Sequence, residues 1–279
     1  MTGRVCLVTG ASSGLGEATA VALAAQGARV ILLCRDPARG ARATAEVTRR
    51  TGSTAVELVL ADLGSLASIE EAARAVAFAH LRLHVLVNNA GVVALRRGLT
   101  ADGFETTFGV NHLGAFALTN RLLPLLRAGA PSRVVTVSSD AHRGVALDFD
   151  DLQGERRYSF WTAYQRSKLA NILFTAELAR RLSGSGVTAN ALHPGAVRTG
   201  LGDGHGRLWD LLARSIKLFF KSPARGARTQ VYLATSPEVA EASGGYYVDC
   251  RPARPSAAAR DERAQARLWD VSRAMTGTG

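Results

Sequence analysis

The stretch TAYQRSKLANILF, residues 162–174, places Tyr164 and Lys168 four residues apart at the front of an apolar helical pattern. Residues at this spacing lie on one face of a helix, so the two side chains can reach a common point. A phenol has a pKa of about 10, and a cation within about 4 to 6 Å can lower it by roughly 1 to 3 pH units. The pair therefore suits proton transfer near neutral pH.

Lysine is scarce in this chain. The 34 basic residues divide into 31 arginines and three lysines, Lys168, Lys217 and Lys221. An ammonium is a compact group with three donors that can reach a ribose and a phenol together, whereas a guanidinium is planar and bulky. The lysine at position 168 thus favours a functional pair, although the same spacing also occurs on helix surfaces that have no special role.

A glycine turn precedes the first predicted helix. The stretch TGASSGLGEATAVAL carries Gly10, Gly14 and Gly16 directly after the first predicted strand. Such glycines permit a tight turn, let the backbone approach a pyrophosphate and let helix and strand pack closely. The helix N-terminus adds free N–H groups and a positive dipole. This context favours a dinucleotide site over a purely structural turn.

The end of the second predicted strand distinguishes the two nicotinamide dinucleotides. An NAD site places an acidic side chain there to bind the ribose 2′-hydroxyl, but this chain has Cys34 followed by Arg35. A guanidinium can bind a 2′-phosphate through paired hydrogen bonds. We therefore predict NADP(H) as the cofactor. The alternative is that Arg35 is a solvated surface charge, and Asp36 can partly neutralise it.

Seven short apolar runs alternate with helical patterns and predict strands. They are RVCLVTG, RVILLCR, AVELVLAD, HVLVNNAG, RVVTVSS, TANALHPG and GYYVDC. Strands separated by helices predict a parallel sheet covered on both faces, a doubly wound α/β fold. The longest connections predict amphipathic helices over about 101–127 and 159–182. Ligands bind at the carboxyl edge of such a sheet, where the second helix begins.

Composition predicts one globular domain over residues 1–279. The chain is 47% hydrophobic and 20% charged, and it has no apolar run of membrane-spanning length. It enters the glycine turn too early for a signal peptide, so we expect a cytoplasmic protein. Cys6, Cys34 and Cys250 show no paired spacing and fit a reducing compartment, where they act as small apolar residues.

Charge does not predict nucleic-acid binding. The net charge is +11, but the arginines are scattered and accompany no nucleic-acid motif. A metal site is not predicted either. His80 and His84 have a ligand-like spacing, but Leu81 and Leu83 and the onset of a strand favour a loop there.

The motifs TGASSGLG, NNAG, VSS, AYQRSK and HPGAVRT, in this order, resemble the short-chain dehydrogenase/reductase family over nearly the whole chain. The resemblance implies a Rossmann-type domain and an oxidoreductase. It implies that Tyr164 is the acid/base, that Lys168 binds the nicotinamide ribose and lowers the pKa of the phenol, and that Asn111 anchors a water relay. Strand alternation points Ser138 and Ser139 to opposite faces. The resemblance favours Ser139, the second of the pair, as the residue that binds the substrate oxygen.

The same resemblance assigns cofactor contacts. Asp62 is expected to face the adenine, Asn88 to border the cleft, and Pro194, Gly195 and Thr199 to frame the nicotinamide. The full set of expected cofactor-binding residues is Gly10, Ser12, Ser13, Gly14, Leu15, Gly16, Arg35, Asp62, Leu63, Asn88, Ala90, Gly91, Tyr164, Lys168, Pro194, Gly195, Val197 and Thr199.

Longer matches indicate one branch of the family. The stretch DFDDLQGERRYSFWTAYQRSKLANILFTAELARRL, with SGGYYVDC and RLWDVS, resembles the retinol dehydrogenase group, which implies a small lipophilic carbonyl or alcohol substrate. Two features depart from the pattern: we expect no N-terminal anchor from these residues, and Ser13 stands where NADP-preferring members often have a basic residue.

The amphipathic stretch GRLWDLLARSIKLFFKS predicts a substrate lid at about 200–222, with weak contact to anionic lipid as a further hypothesis. Ordinary core packing is the alternative. The family also implies a homodimer or homotetramer. Two other functions stay open at this point, a non-catalytic dinucleotide sensor and a member of the extended branch that includes sugar-nucleotide epimerases.

Overall fold

The apolar runs of the sequence form strands that alternate with helices. The computed structural model describes residues 1–195 and 222–279. The strands are β1 (Val5–Thr9), β2 (Arg29–Cys34), β3 (Val56–Leu60), β4 (Val85–Asn88), β5 (Ser132–Val137), β6 (Val187–His193), β7 (Tyr246–Val248) and β8 (Arg251–Pro252). The helices are α1 (Gly14–Ala25), α2 (Pro37–Thr51), α3 (Leu66–Ala79), α4 (Thr106–Phe108), α5 (Gly114–Ala128), α6 (Phe160–Arg181), α7 (Pro223–Thr235) and α8 (Glu262–Thr276).

The strands form one sheet in the order β3-β2-β1-β4-β5-β6-β7-β8. The first seven are parallel, and the chain order reverses between β1 and β4. The doubly wound prediction is confirmed, with one addition. The two residues of β8 run antiparallel to β7, after a turn through Asp249 and Cys250, whose φ angles are 48° and 62°. A strand of two residues is too short to show a period in the sequence.

The core lies on both faces of the sheet because side chains alternate along each buried strand. On β1, Leu7 packs with one cluster, which includes residues of α3, α5 and α6. Its neighbours Cys6 and Val8 pack with the other cluster, which includes residues of α1, α2 and α7. Burial raises the pKa of the Cys6 thiol to about 12, so this cysteine acts as an apolar residue.

The two long connections differ from each other. Helix α6 agrees with the predicted 159–182, and Ser159 caps it by accepting a hydrogen bond from the Thr162 N–H. The predicted helix over 101–127 is shorter and interrupted. It begins only at Thr106, because Glu105 caps the first turn, and a π-helical segment over Gly109–Leu113 precedes α5.

No helix in the described ranges is long and apolar enough to cross a membrane. The segment predicted as a lid, 200–222, lies outside the described residues except for Ser222. This serine caps α7 by accepting from the Arg225 N–H at 3.4 Å.

Candidate active site

The glycine turn after β1 packs tightly on two sides and is open on a third. Gly10 and Gly14 have φ angles of 64° and 59°. A Cβ on Gly10 would lie 2.8 Å from the Cα of Ala90, and one on Gly16 would lie 2.3 Å from the carbonyl oxygen of Gly10. A Cβ on Gly14 would meet no atom within 4 Å. The turn therefore leaves a free face at the start of α1.

Hydrogen bonds of Thr9 and Asn89 stabilise this turn, and neither residue was predicted as part of the site. Thr9 Oγ1 accepts from the N–H groups of Asn89 and Ala90 at 2.9 and 3.0 Å. The Asn89 amide donates to the Thr9 carbonyl at 2.8 Å. Asn88 is different: its side chain is buried and donates to Thr119 Oγ1 at 2.9 Å on α5. Alternation along β4 is the signal that distinguishes the two asparagines.

The segment after β2 brings one basic side chain, that of Arg39, to the glycine turn. Arg35 is exposed directly after β2. The Asp36 carboxylate caps α2 by accepting from the Arg39 N–H at 2.8 Å, so it is directed at the helix. The Arg39 guanidinium donates to Ser13 Oγ at 3.3 Å. Arg39 was not among the predicted site residues, although a basic residue in the first turn of α2 was a visible signal.

Lys168 is a buried cation. Its side chain lies in the interior, with the residue 4% exposed, and Nζ donates to the Val137 carbonyl at 3.2 Å. It forms no ion pair with any residue of 1–195 or 222–279. Burial alone lowers its pKa to about 8, so the ammonium still predominates at pH 7. A Cβ on Gly91 would lie 3.4 Å from Nζ, which places the NNAG turn beside the ammonium.

Tyr164 lies near Lys168 but does not show the lowered pKa that the sequence predicts. Burial raises the pKa of the phenol, and a hydrogen bond with Ser139 opposes part of the rise. Lys168 Nζ lies 5.7 Å from the centroid of the Tyr164 ring. At this separation, burial raises the pKa of the phenol by more than the ammonium can lower it. The phenol therefore keeps its proton at pH 7.

The two adjacent serines after β5 have different contacts. Ser138 is buried, and its hydroxyl donates to the Lys168 carbonyl at 2.7 Å, which fixes α6 to the sheet. Ser139 bonds the Tyr164 side chain, and its Oγ also accepts from the Ala141 N–H at 3.2 Å. The geometry therefore brings Ser139, and not Ser138, together with the tyrosine.

Asn111 joins the segment after β4 to α6. Its Oδ1 accepts from the Val92 N–H at 2.7 Å, and its Nδ2 donates to the Val92 carbonyl at 3.0 Å and to Ser167 Oγ at 3.0 Å. A Cβ on Gly91 would lie 3.5 Å from Asn111 Oδ1 as well as close to Lys168. The four expected catalytic residues thus meet at the carboxyl edge of β4 and β5.

His142 contacts the backbone of Ser139, and no motif in the sequence indicates this role. The ring is fully buried, with Nδ1 2.7 Å from the Ser139 carbonyl. Its Nε2 accepts from the Ser256 N–H at 3.1 Å. Since Nε2 is an acceptor, the proton of the neutral ring lies on Nδ1 and is donated to Ser139.

The remaining predicted cofactor residues border the same edge. Asp62 closes the turn after β3 by accepting from the Gly64 N–H at 2.8 Å, and Leu63 is buried beside it. Pro194 and Gly195 follow β6 and are partly buried. Val197 and Thr199 lie outside the described residues.

The histidines with ligand-like spacing have separate partners. His80 Nε2 bonds Glu57 at 2.8 Å, and His84 Nδ1 accepts from the Val5 N–H at 3.0 Å. The part of the chain that the structure describes holds no cluster of three or more potential metal ligands.

These residues fit a nicotinamide dinucleotide. The open face at Gly14 precedes the free N–H groups of α1, as a pyrophosphate requires. Lys168 is a buried cation that lies beside Gly91 and has no carboxylate partner among the described residues. Ligands bind in open α/β sheets where the strand order reverses, here between β1 and β4.

The chain also matches known proteins. Residues 4–206 match the family model for short chain dehydrogenase. Human retinol dehydrogenase 14 is 47% identical over 294 aligned residues, with 99% of this chain and 87% of that protein covered. Human retinol dehydrogenase 12 is 45% identical, with the same coverage.

Solved structures agree with these matches. An uncharacterized protein from Mycobacterium paratuberculosis is 39% identical with a TM-score of 0.80, covering 99% of this chain and 94% of its own. The NADP active-site complex of Pseudomonas aeruginosa RhlG is 26% identical with a TM-score of 0.70, covering 94% and 97%.

The matches to known proteins and the geometry of the site indicate the same class of enzyme. The protein is an oxidoreductase that interconverts carbonyl and alcohol groups with a nicotinamide dinucleotide. The sequence resemblance is thereby confirmed. The chain belongs to the short-chain dehydrogenase/reductase family and, within it, to the retinol dehydrogenase-like branch.

Proposed function

We propose that the protein uses NADP(H) to reduce lipophilic aldehydes or ketones and to catalyse the reverse oxidation of the alcohols. One observation carries the proposal. The Tyr164 side chain bonds Ser139 beside the buried Lys168, at the sheet edge that also holds the glycine turn. A protein that only sensed a dinucleotide would need the glycine turn but not this group.

Tyr164 and Ser139 offer two hydroxyl donors from different elements, α6 and the end of β5. A carbonyl oxygen that accepts from both is stabilised as negative charge grows on it. The bound cofactor supplies the hydride. Tyr164 donates its proton to the substrate oxygen, and Ser139 together with the Lys168 charge stabilises the phenolate that remains.

The protonation state of Tyr164 favours reduction. Burial raises the pKa of the phenol, so at pH 7 the group is ready to give a proton and poor at accepting one. Oxidation of an alcohol needs the phenolate, and we therefore expect it to accelerate as the pH rises above neutrality.

Three observations support NADP(H) as the cofactor. Arg35 occupies the end of β2, where an acidic side chain would select NAD. The Asp36 carboxylate accepts a hydrogen bond at the N-terminus of α2, so it does not supply the acidic side chain that would select NAD. A related solved structure is an active-site complex with NADP.

An apolar surface next to Tyr164 supports a lipophilic substrate. The Trp161 ring centroid lies 6.0 Å from that of Tyr164, and Trp161 is 51% exposed. Phe160 precedes it and is 39% exposed. The relatives named retinol dehydrogenases suggest retinal-like aldehydes as the first substrates to test. The lid, the cytoplasmic location and the homo-oligomer stay predictions.

The test follows NADPH oxidation spectroscopically with retinal, straight-chain aldehydes and aromatic ketones. Tyr164→Phe should reduce kcat by at least about a hundredfold, because the proton donor is gone, while the protein still binds NADPH. Tyr232→Phe is the matched control, since its phenol bonds Glu238 away from the site, and it should keep full activity.

Two results would overturn the proposal. Turnover that survives in Tyr164→Phe would remove the tyrosine from the mechanism. NADPH binding by the wild-type protein without reduction of any carbonyl compound in the panel would favour the dinucleotide sensor.

A further inference from the structure

Helix α7 places a buried amide in the face that it packs against α1. Gln230 is fully buried on this helix. The residues that share its face at helical spacing are small or apolar, namely Gly226, Ala227, Leu233 and Ala234. A buried amide is costly unless its donors and its acceptor are hydrogen-bonded. Packing alone therefore does not explain a glutamine at this position.

The Gln230 amide joins α1 to the segment after β4. Its Oε1 accepts from Thr19 Oγ1 at 2.8 Å, across 211 residues of sequence. Its Nε2 donates to Asn89 Oδ1 at 3.3 Å, across 141 residues. The Asn89 amide in turn donates to the carbonyl of Thr9 at 2.8 Å and, more weakly, to that of Gly10 at 3.4 Å. A chain of hydrogen bonds thus leads from the interior of α7 to the glycine turn.

The turn fixes the orientation of both amides in this chain. The carbonyl oxygens of Thr9 and Gly10 can only accept, so the Asn89 atom that faces them is the nitrogen. The Asn89 oxygen then faces Gln230, which must offer its own nitrogen. The Gln230 oxygen remains for Thr19, whose hydroxyl donates to it. Reversal of either amide would place two acceptors against each other.

Asn89 packs against the glycine turn without covering its open face. A Cβ on Gly16 would lie 2.6 Å from Asn89 Nδ2, so the amide lies against the first turn of α1. A Cβ on Gly14 would meet no atom within 4 Å. Asn89 therefore supports the turn at Gly10 and Gly16 and leaves the face at Gly14 free for a ligand.

We propose that Gln230 is a positioning residue of the dinucleotide site, which holds Asn89 in the orientation that fixes the glycine turn for the pyrophosphate. Gln230 acts on the turn through its partner Asn89. A pyrophosphate binds the N–H groups at the start of α1, and a small displacement of the turn would move them away from it. The inference goes beyond the proposed function. It needs only a nicotinamide dinucleotide, and it depends neither on the choice of NADP(H) nor on the role of Tyr164.

The test measures Kd for NADP⁺ and NAD⁺ by calorimetry and stability by urea unfolding, with the full-length protein and no substrate. Gln230→Met keeps the length of the side chain and loses both hydrogen bonds. We expect it to weaken NADP⁺ binding by roughly 3- to 30-fold, the range for a residue that acts on a site through a neighbour. NAD⁺ should weaken by the same factor, because it has the same pyrophosphate.

Thr229→Val is the matched control. Thr229 precedes Gln230 on the same helix and is also buried, and its hydroxyl accepts from the Cys250 N–H at 3.2 Å in the turn between β7 and β8. This variant should lower the midpoint of urea unfolding and leave both affinities unchanged. If it weakens NADP⁺ binding as much as Gln230→Met does, then Gln230 only stabilises the packing of α7, and the inference is overturned.

Gln230→Glu gives a second test that preserves the shape of the side chain. A protonated carboxyl at position 230 can accept from Thr19 and donate its O–H to Asn89, as the amide does. An ionised carboxylate can only accept, and it would face the acceptor oxygen of Asn89. Burial raises the pKa of such a carboxyl above its usual value of about 4.3. NADP⁺ affinity relative to the wild type should therefore be near normal at pH 5 and lower by at least about tenfold at pH 8.

Two further results would contradict the inference. Unchanged binding of NADP⁺ and NAD⁺ in Gln230→Met would show that the turn keeps its shape without the amide. A relative affinity of Gln230→Glu that stays constant from pH 5 to pH 8 would show that the direction of the hydrogen bonds has no effect on the site. The proposed function fails on different measurements, namely turnover in Tyr164→Phe and the preference of the wild type for NADP⁺.

Discussion

The Nδ1 of His142 donates to the carbonyl oxygen of Ser139 at 2.7 Å, and this contact fixes the backbone that carries the proposed catalytic hydroxyl. The opposite nitrogen of the ring accepts from Ser256, 114 residues further along the chain. The C-terminal segment is therefore connected to the active site through one neutral imidazole.

The two contacts of His142 can be separated by substitution. Asn at this position keeps a donor near Nδ1, whereas Gln keeps an acceptor near Nε2. We expect kcat to fall by about tenfold in His142→Gln and by less than threefold in His142→Asn, because only the donor holds Ser139, while KM for the cofactor stays constant. Steady-state kinetics measures both. Equal losses in the two variants would show that the ring only fills space.

His142 also makes stability depend on pH. Burial lowers the pKa of the imidazole below its ordinary value of about 6.5. The unfolded chain then binds a proton that the folded chain resists, so stability decreases as the pH falls below about 6.5. Urea unfolding between pH 5 and 8 should show a larger loss in the wild type than in His142→Gln, because His84 and His112, whose pKa values are also lowered, contribute the same dependence to both proteins. Parallel curves would contradict it.

The buried Lys168 should reduce stability at neutral pH. Its pKa is lowered to about 8, below the 10.5 of an exposed lysine, so the unfolded state binds more protons between these values. The free energy of unfolding should therefore rise with pH across that interval. Lys168→Met removes this dependence and should be more stable than the wild type at pH 7 by about 3 kcal/mol.

The Lys168→Met comparison uses urea unfolding at pH 7 and pH 10, and the difference between the proteins should shrink at the higher pH. Activity should be lost at both values, since no ammonium remains. A variant that is less stable than the wild type at pH 7 would mean that the Val137 contact outweighs the cost of burial.

The adjacent serines allow a matched pair of variants. Ser139→Ala removes the second donor to the substrate oxygen and should reduce kcat by roughly 100- to 1000-fold. It also removes the bond that lowers the pKa of Tyr164, so alcohol oxidation should begin at higher pH. Ser138→Ala removes a structural bond to Lys168 and should cost about 1 kcal/mol of stability with little change in kcat.

Kinetics and unfolding on both serine variants separate the roles. Exchange of the two phenotypes would assign the substrate contact to Ser138. A pH profile that stays the same in Ser139→Ala would show that the serine does not act on the tyrosine.

Two glycines of the turn should respond differently to alanine. Gly16→Ala places Cβ 2.3 Å from the Gly10 carbonyl, so backbone must move, and we expect a loss of about 3 kcal/mol. Gly14→Ala meets open space and costs about 1 kcal/mol through its positive φ alone. Thermal and urea unfolding measure both. Similar losses would mean that steric contact at Gly16 is relieved.

Much of the fold and part of the site could be predicted because their signals are local. The alternation of apolar strands and helices, the glycine turn and the four-residue spacing of Tyr164 and Lys168 depend on neighbours in the chain. The confirmed fold then brings these motifs to one sheet edge.

The contacts that were missed join distant segments. The Arg39 contact with Ser13 spans 26 residues, and that of His142 with Ser256 spans 114. Neither contact corresponds to a repeating pattern in the sequence from which it could be predicted. The pKa of Tyr164 was predicted in the wrong direction because burial is a property of the packed structure, whereas the sequence shows only which charge lies nearby.

The short strand β8 has a consequence for assembly. It covers β7 with only two residues, and one of them, Pro252, has no N–H to offer. A further strand from another molecule would find almost no ladder to join on this side. If copies of the protein associate, we do not expect the sheet to continue from one copy to the next across β8. The contact should then form through other surfaces, such as those of the helices.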